Sequence, residues 1–280
     1  MPRSPHPFFT RHSPPRLFAH RGASGHRPEN TLAAFALGLE MGAPYLELDV
    51  RMTRDGHVAV IHDETADRTT SGSGAVRRMD LGELRLLDAG YWFCPEGEGE
   101  YPFRGRGIQI PTLSQVLEAF PQAMLNIEVK QKEPPMEENL QEVLVRHGAL
   151  ERVLLASENA EILTRVRERF GARVATGISQ EEGIRFARWV LGGSKRDLHL
   201  AGQALQIPER LGGRDYITPE FIQAAHDLGL EVHVWTVNDP GRMRNFVEVG
   251  ADGVMTDFPD RFPWRDSFGA SRSASGDNQG

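Results

Sequence analysis

Short apolar runs alternate along this chain with segments whose apolar residues recur every three to four positions. The runs at 17–20, 45–50, 124–129, 152–156, 173–176, 204–207, 231–237 and 253–256 predict buried strands. Between them, 29–41, with Leu32, Phe35, Ala36 and Leu39 on one side, and 136–147, 159–169, 180–191 and 219–228 predict amphipathic helices. Such alternation favours a parallel α/β sheet. Eight strands is the number that closes a TIM barrel, though an open doubly wound sheet fits the periodicity nearly as well. In either architecture, chemistry is expected beyond the C-terminal ends of the strands.

Three stretches break this rhythm. Asp55-Gly56 is a two-residue hairpin signal, because glycine accepts positive φ and aspartate tolerates it. With that turn, residues whose numbers sum to 111 face each other, which sets His62 opposite Asp49 with Cβ atoms ~5 Å apart. Residues 64–111 are too long for a βα loop of ~2–6 residues and too small and polar for a domain. They are read as an insertion carrying a short helix near 81–88. The proline-rich residues 1–15 and the Ser/Gly/Asn-rich residues 265–280 are expected to be disordered ends of one domain spanning 16–264.

Composition narrows the class without naming an activity. A 280-residue chain with 39% hydrophobic and 25% charged residues can bury one large core. Its net charge of −7 includes no basic stripe, which disfavours nucleic acid as a partner. No stretch approaches the ~20 apolar residues of a spanning helix, and residues 1–15 lack the apolar segment of a secretory signal. A cytoplasmic protein without stable membrane insertion is therefore expected. The single Cys94 can form no internal disulfide and no cysteine-built metal site. Oligomeric state is left open.

The chemistry concentrates at strand ends. Parallel strands at 17–20 and 45–50 would bring His20 to the same edge as Glu47 and Asp49. Asn126, Glu128 and Lys130 alternate with apolar neighbours, as the polar inner face of a barrel strand would. Three carboxylates converging on one cavity repel unless a cation or a proton lies among them. An all-oxygen set suits Mg2+ or Ca2+ rather than zinc. The plainer alternative makes Glu128 and Lys130 a structural ion pair, and the histidines ordinary strand-end residues.

The pieces HRG at 20–22, PENT at 28–31, ELDV at 47–50, HDE at 62–64 and RTTSGSG at 68–74 have a familiar order. With IPTLSQVL at 110–117, NIEVK at 126–130, HVWTVN at 233–238 and DGVMTD at 252–257, the chain resembles the glycerophosphodiester phosphodiesterase family. The resemblance covers residues 17–262. It implies a TIM barrel and hydrolysis of a small-molecule glycerophosphodiester to sn-glycerol 3-phosphate and an alcohol. It implies one divalent cation, Mg2+ or Ca2+, on Glu47, Asp49 and Glu128, and catalytic roles for His20 and His62. Lys130 would lie close to the phosphate, and the insertion would help shape the substrate site.

A phosphodiester demands neutralised nonbridging oxygens, a deprotonated nucleophile and a protonated leaving group. Arg21 and Lys130, with the cation, answer the first demand. The two imidazoles answer the others. His20 is assigned as base and His62 as acid, with the reverse left open, as is attack by water against attack by the substrate's own hydroxyl. Trp235 is expected to line the glycerol or headgroup site or to plug the barrel end, Asn30 to support the His20 loop, and Asp63 to orient a histidine or cap the hairpin. Asp252 and Asp257 are read as loop residues of the last strand. Glu158 stands where the family often has an aromatic, which argues against an apolar headgroup pocket. A lysophospholipase D or other lipid phosphodiesterase and a noncatalytic phosphodiester-binding barrel are the alternatives.

Overall fold

A computed structural model of the chain describes residues 6–95, 97, 99–192 and 198–264. The strands are β1 (Arg16–Ala19), β2 (Tyr45–Met52), β3 (Val58–Val60), β4 (Met124–Val129), β5 (Val153–Ala156), β6 (Ala175–Thr176), β7 (Ala204–Pro208), β8 (Glu231–Trp235) and β9 (Gly253–Thr256). Eight of them run parallel in the order β6-β5-β4-β2-β1-β9-β8-β7, while β3 pairs antiparallel with β2 and its Ala59 makes an isolated antiparallel bridge to Thr112. Where the two ends of that order meet, Gly177 bridges Ala204. There the Gln203 N–H donates to Thr176 O at 2.7 Å and the Ile178 N–H to Ala204 O at 2.9 Å. The expected barrel is thus present, with the arm outside it.

The helices are α1 (Pro7–Thr10), α2 (Leu32–Glu40), α3 (Leu81–Leu84), α4 (Leu113–Ala119), α5 (Glu137–Arg146), α6 (Ala160–Phe170), α7 (Gln180–Leu191), α8 (Pro219–Asp227) and α9 (Pro240–Glu248). Their starts follow local chemistry. Thr112 with Gln115 and Ser179 with Glu182 form reciprocal capping boxes. Thr218 and Asp239 each cap a helix whose first residue is proline. α2 begins three residues later than its apolar periodicity predicts, because Asn30 takes φ +58° and Thr31 is the cap, accepting from the Ala34 N–H at 3.2 Å.

Each strand has two buried faces. Along β2, Leu46, Leu48 and Val50 pack outward under the helices, while Tyr45 joins Phe18, Met124, Leu154 and Met255 in the lumen. The registers Tyr45↔Met124, Glu47↔Asn126 and Asp49↔Glu128 stack the inward residues in successive layers, so polarity rises toward the C-terminal ends.

The N-terminal stretch corrects an expectation. Residues 6–15 are ordered: His6 caps α1, and Phe8 is fully buried among the lumen residues, edge-on to Tyr45 with centroids 5.3 Å apart. Arg16, 1% exposed, fastens this floor. It makes two bonds to Glu231, of 2.8 and 2.6 Å, and donates to Tyr45 Oη, to the Phe9 carbonyl and to the His12 carbonyl. Prolines shorten the local structure here, but two adjacent phenylalanines filling the barrel mouth outweigh them. Residues 1–5 and the tail 265–280 lie outside the described residues. No helix among the described residues is long and apolar enough to cross a membrane.

Candidate active site

Three carboxylates occupy the C-terminal mouth of the barrel. Glu47, Asp49 and Glu128 each offer an oxygen, all within 4.8 Å of one another. Glu47 and Asp49 are 3% and 1% exposed. Burial and the neighbouring Asp49 charge push the Glu47 carboxyl up to about 7, against the opposing pull of His20 and Arg21. Burial also raises Glu128, opposed by Lys130 and reinforced by Asp49. Lys130 Nζ is 2.7 Å from Glu128 and 3.5 Å from Asp49, and these anions outweigh its own desolvation to raise its pKa.

The loop after β1 brings the cationic groups. Gly22, at φ +84°, lets the chain turn against α2, where a Cβ would stand 2.5 Å from the Ala34 carbonyl carbon. Arg21, itself at φ +53°, donates its backbone N–H to Glu47 at 2.9 Å and its Nη1 to Glu29 at 3.0 Å. Its Nε lies 3.3 Å from Asp49 Oδ2 yet has no hydrogen-bond partner among the described residues. Asn30 clasps Asp49 from both ends: its Nδ2 donates to Oδ2 at 2.9 Å, and its Oδ1 accepts the Asp49 N–H at 3.2 Å.

His20 stands over this group with Nε2 3.9 Å from Glu47. Its Nδ1 is 2.7 Å from Asp257 Oδ1. Asn238 Nδ2 donates to Asp257 Oδ2 at 2.7 Å, and Ser24 Oγ lies 2.8 Å from Oδ1. Burial opposes charge on His20, but the bond to Asp257 and the nearby Glu47 outweigh it and raise its pKa. Burial likewise works against the Asp257 anion, while its bonds to His20, Asn238 and Ser24 hold it down to about 2.

His62 reaches the region by a different register from the one expected. β2 and β3 pair Val50↔Val60 and Met52↔Val58, so paired numbers sum to 110. The turn contains Arg54, Asp55 and Gly56, with Gly56 at φ +85° and Thr53 N–H bonded to His57 O. Glycine in the left-handed region absorbs the third residue, so Ile61, not His62, lies beside Asp49 and donates its N–H to the Asp49 carbonyl at 2.9 Å. His62 follows past the strand end and lines a small cavity with Glu29 and Asn30. Its Nδ1 is 2.6 Å from Asp63, whose carboxyl is held down to about 2 by Arg68 and His62 against the effect of burial. Arg68 pairs with both Asp63 and Glu29, so one chain of charges runs Arg21, Glu29, Arg68, Asp63, His62.

Trp235 ends β8 and lines a cleft of about 290 Å³ that Glu128 also borders. Among the described residues no part of the 64–111 insertion borders that cleft. The insertion packs instead on the arm, with Val76, Leu84, Ala89 and Ile110 around Ala59 and Ile61. Tyr91, Trp92 and Tyr101 surround Arg104, and Phe93 meets Phe103.

Residues 20–261 match the sequence model of the glycerophosphoryl diester phosphodiesterase family. The chain belongs to this family. It is 34% identical over 249 residues to a glycerophosphodiester phosphodiesterase of Caldanaerobacter subterraneus subsp. tengcongensis, covering 87% of this chain and 94% of that one. The structure of an Agrobacterium tumefaciens glycerophosphodiester phosphodiesterase superposes with TM-score 0.71 at 29% identity, over 88% and 98% of the two chains. An Oleispira antarctica phosphodiesterase in complex with the product sn-glycerol-3-phosphate superposes with TM-score 0.70 at 28% identity, over 90% and 97%.

Two groups of this phosphodiesterase escaped the sequence reading. Asp257 was read as a loop residue, yet barrel closure pairs β9 with β1, Ala19↔Thr256, and so sets it beside His20. First-to-last strand pairing is the signal that could have found it. Arg68 heads the RTTSGSG stretch at 68–74, but that stretch is aperiodic and nothing in its spacing shows that the side chain reaches Glu29 and Asp63.

Proposed function

We propose that the chain hydrolyses a glycerophosphodiester to sn-glycerol 3-phosphate and an alcohol, with one divalent cation, Mg2+ or Ca2+, on Glu47, Asp49 and Glu128. The observation that carries the reading is the buried carboxylate trio next to a histidine whose far nitrogen is anchored on a carboxylate. The donor set fits a hard cation: three oxygens at close quarters, one of them on a carboxyl pushed to about 7. Such an ion would supply Lewis-acid neutralisation of the phosphate's nonbridging charge.

The chain's own groups account for the remaining demands. Arg21, held against Asp49 and Glu29, brings positive charge to the edge where the phosphate would lie, and Lys130 adds a second at the same edge. With Nδ1–H of His20 donated to Asp257, its Nε2 lone pair is free to take the proton of the attacking hydroxyl, from water or from the substrate's glycerol. The bond from phosphorus to the leaving oxygen breaks, and His62 returns a proton to that oxygen. Asp63 holds His62 in the same way, through Nδ1. Asn30 keeps Asp49 directed at the trio, and Trp235 walls the side where the substrate's organic part lies.

Dialysis against a chelator, followed by assay with glycerophosphocholine and enzymatic detection of sn-glycerol 3-phosphate, tests this reading. Activity should vanish and return with Mg2+ or Ca2+. Full turnover by demonstrably metal-free protein would sink it.

A further inference from the structure

The cleft beside Glu128 opens between the strand ends of β5 to β8, and its charged lining is of one sign. Glu128 and Glu158 border it, and among the described residues no lysine, arginine or histidine does. Glu128 is already engaged by Lys130, 2.7 Å away, and by the trio. Glu158 is exposed, and its carboxylate has neither a hydrogen bond nor a cation among the described residues. It is nonetheless close to the site of reaction, for its charge helps to raise the Glu128 carboxyl, after burial and Asp49.

The backbone beneath this free carboxylate is fixed on two sides. Ser157 Oγ donates to the Val129 carbonyl at 2.8 Å and accepts from the Asn159 N–H at 3.3 Å, which ties the turn after β5 to β4. The Glu158 carbonyl accepts from the Gln180 N–H at 3.0 Å, which ties the same turn to the start of α7. A ligand that meets Glu158 therefore has little loop to order.

The walls discriminate among headgroups. Trp235, Tyr216 and Phe221 supply aromatic rings, and several polar groups between them are engaged within the protein. Tyr216 Oη donates to the Pro208 carbonyl at 2.8 Å, and Gln206 Nε2 to Asn126 at 2.9 Å. Gln180, exposed at the same side as Glu158, keeps its side-chain amide free among the described residues. A polyol would give up water here for few new hydrogen bonds. A second anion would meet Glu158 with no cation to offset it. A primary ammonium brings three donors into a cleft walled mainly by carbon. A quaternary ammonium brings none: its methyl groups suit apolar walls and aromatic faces, and its charge answers Glu158. At about 290 Å³ the space is near the lower end of the roughly 300–1,000 Å³ typical of small-molecule sites, which suits a compact headgroup.

Resting on the phosphodiesterase reading above, we propose that this cleft selects diesters whose leaving alcohol carries a quaternary ammonium, and that Glu158 is the residue that makes the selection. The cation lies between Trp235 and the Glu158 carboxylate while the phosphate sits at the trio.

Glycerophosphocholine and glycerophospho-3,3-dimethylbutanol carry headgroups of the same shape that differ in charge. The ratio of their kcat/KM values, choline over dimethylbutyl, is measured in metal-loaded wild type and in two variants. Comparing ratios between enzymes cancels the intrinsic difference between the two leaving groups. The ratio should fall about fivefold in Glu158→Gln, the upper range for a solvent-accessible ion pair. In Glu158→Lys, where attraction becomes repulsion, it should fall about 20-fold or more. A ratio within twofold of wild type in either variant would overturn the proposal, while turnover of glycerophosphocholine by the wild type left the phosphodiesterase reading intact. No turnover of either diester by metal-loaded wild type would overturn both.

Discussion

Replacing Asp257 with Asn should cost this enzyme about 10²–10⁴-fold in kcat with little change in KM, the loss expected when a general acid or base is misprotonated. The argument comes from the partners of the carboxylate. Asn238 Oδ1 accepts from Asp257 N–H at 3.0 Å and from Thr256 Oγ1 at 3.1 Å, so its Nδ2 is fixed as the donor to Asp257 Oδ2. An Asn at 257 has one oxygen to offer. If that oxygen faces Asn238, the new amide N–H₂ faces His20 Nδ1 and forces the proton onto Nε2, where it blocks proton abstraction. If it faces His20, two amide donors confront each other. Asp257 is held from its ordinary 3.8 down to about 2, which corresponds to about 2 kcal/mol favouring the folded state. Because this carboxyl is depressed on folding, that contribution is present above pH ~4 and is lost as pH falls toward 2. Urea unfolding of wild type and D257N should therefore differ by about 2 kcal/mol at pH 7 and converge only as pH falls to about 2. Steady-state kinetics with glycerophosphocholine would read the catalytic part. A folded D257N enzyme with kcat within threefold of wild type, or one changed only in KM, would refute the assignment of Asp257 as the positioning group for His20.

Other expectations follow from the same geometry. Glu47→Gln should lower turnover by about 10³-fold or more. It should leave metal-free thermal stability undiminished, because it removes one of three mutually repelling buried carboxylates; a large drop in Tm would contradict the trio's electrostatics. Gly22→Ala should destabilise by about 1–3 kcal/mol in urea unfolding, since the new Cβ meets the Ala34 backbone and φ is +84°. Arg68→Ala and Asp63→Asn should each lower kcat, and the double variant should lose little more than the worse single one, because both act through His62. Full additivity would show that the charge chain does not work as a unit.

How legible each feature was depended on how local its cause is. Alternation in residues 45–50 announced that Glu47 and Asp49 share the lumen face, because both sides of a barrel strand are buried and the polar choice is then informative. The third carboxylate was legible for the same reason, and the register Asp49↔Glu128 sets it alongside. The hairpin register was missed by one residue, since an Asp-Gly pair serves a two-residue turn and a three-residue turn with a left-handed glycine alike. Asp257 depends on the meeting of the first and last strands, a contact separated by 237 residues. Trp235 was expected at the barrel end as a site wall or a plug, and it lines a cleft there, whereas the plug at Phe8 depends on which end of the closed barrel an apolar side chain fills, and no periodicity encodes that.

The most direct test of the catalytic pair compares two substrates in two variants. His20→Ala and His62→Ala should each lose about 10²–10⁴-fold on glycerophosphocholine. On a glycerol diester with a nitrophenol leaving group, which departs without a proton, His62→Ala should recover most of its loss while His20→Ala stays impaired. Equal losses on both substrates would contradict the division of base and acid. Near-normal rates for both variants on glycerophosphocholine itself would contradict the account of this site as a two-histidine phosphodiesterase.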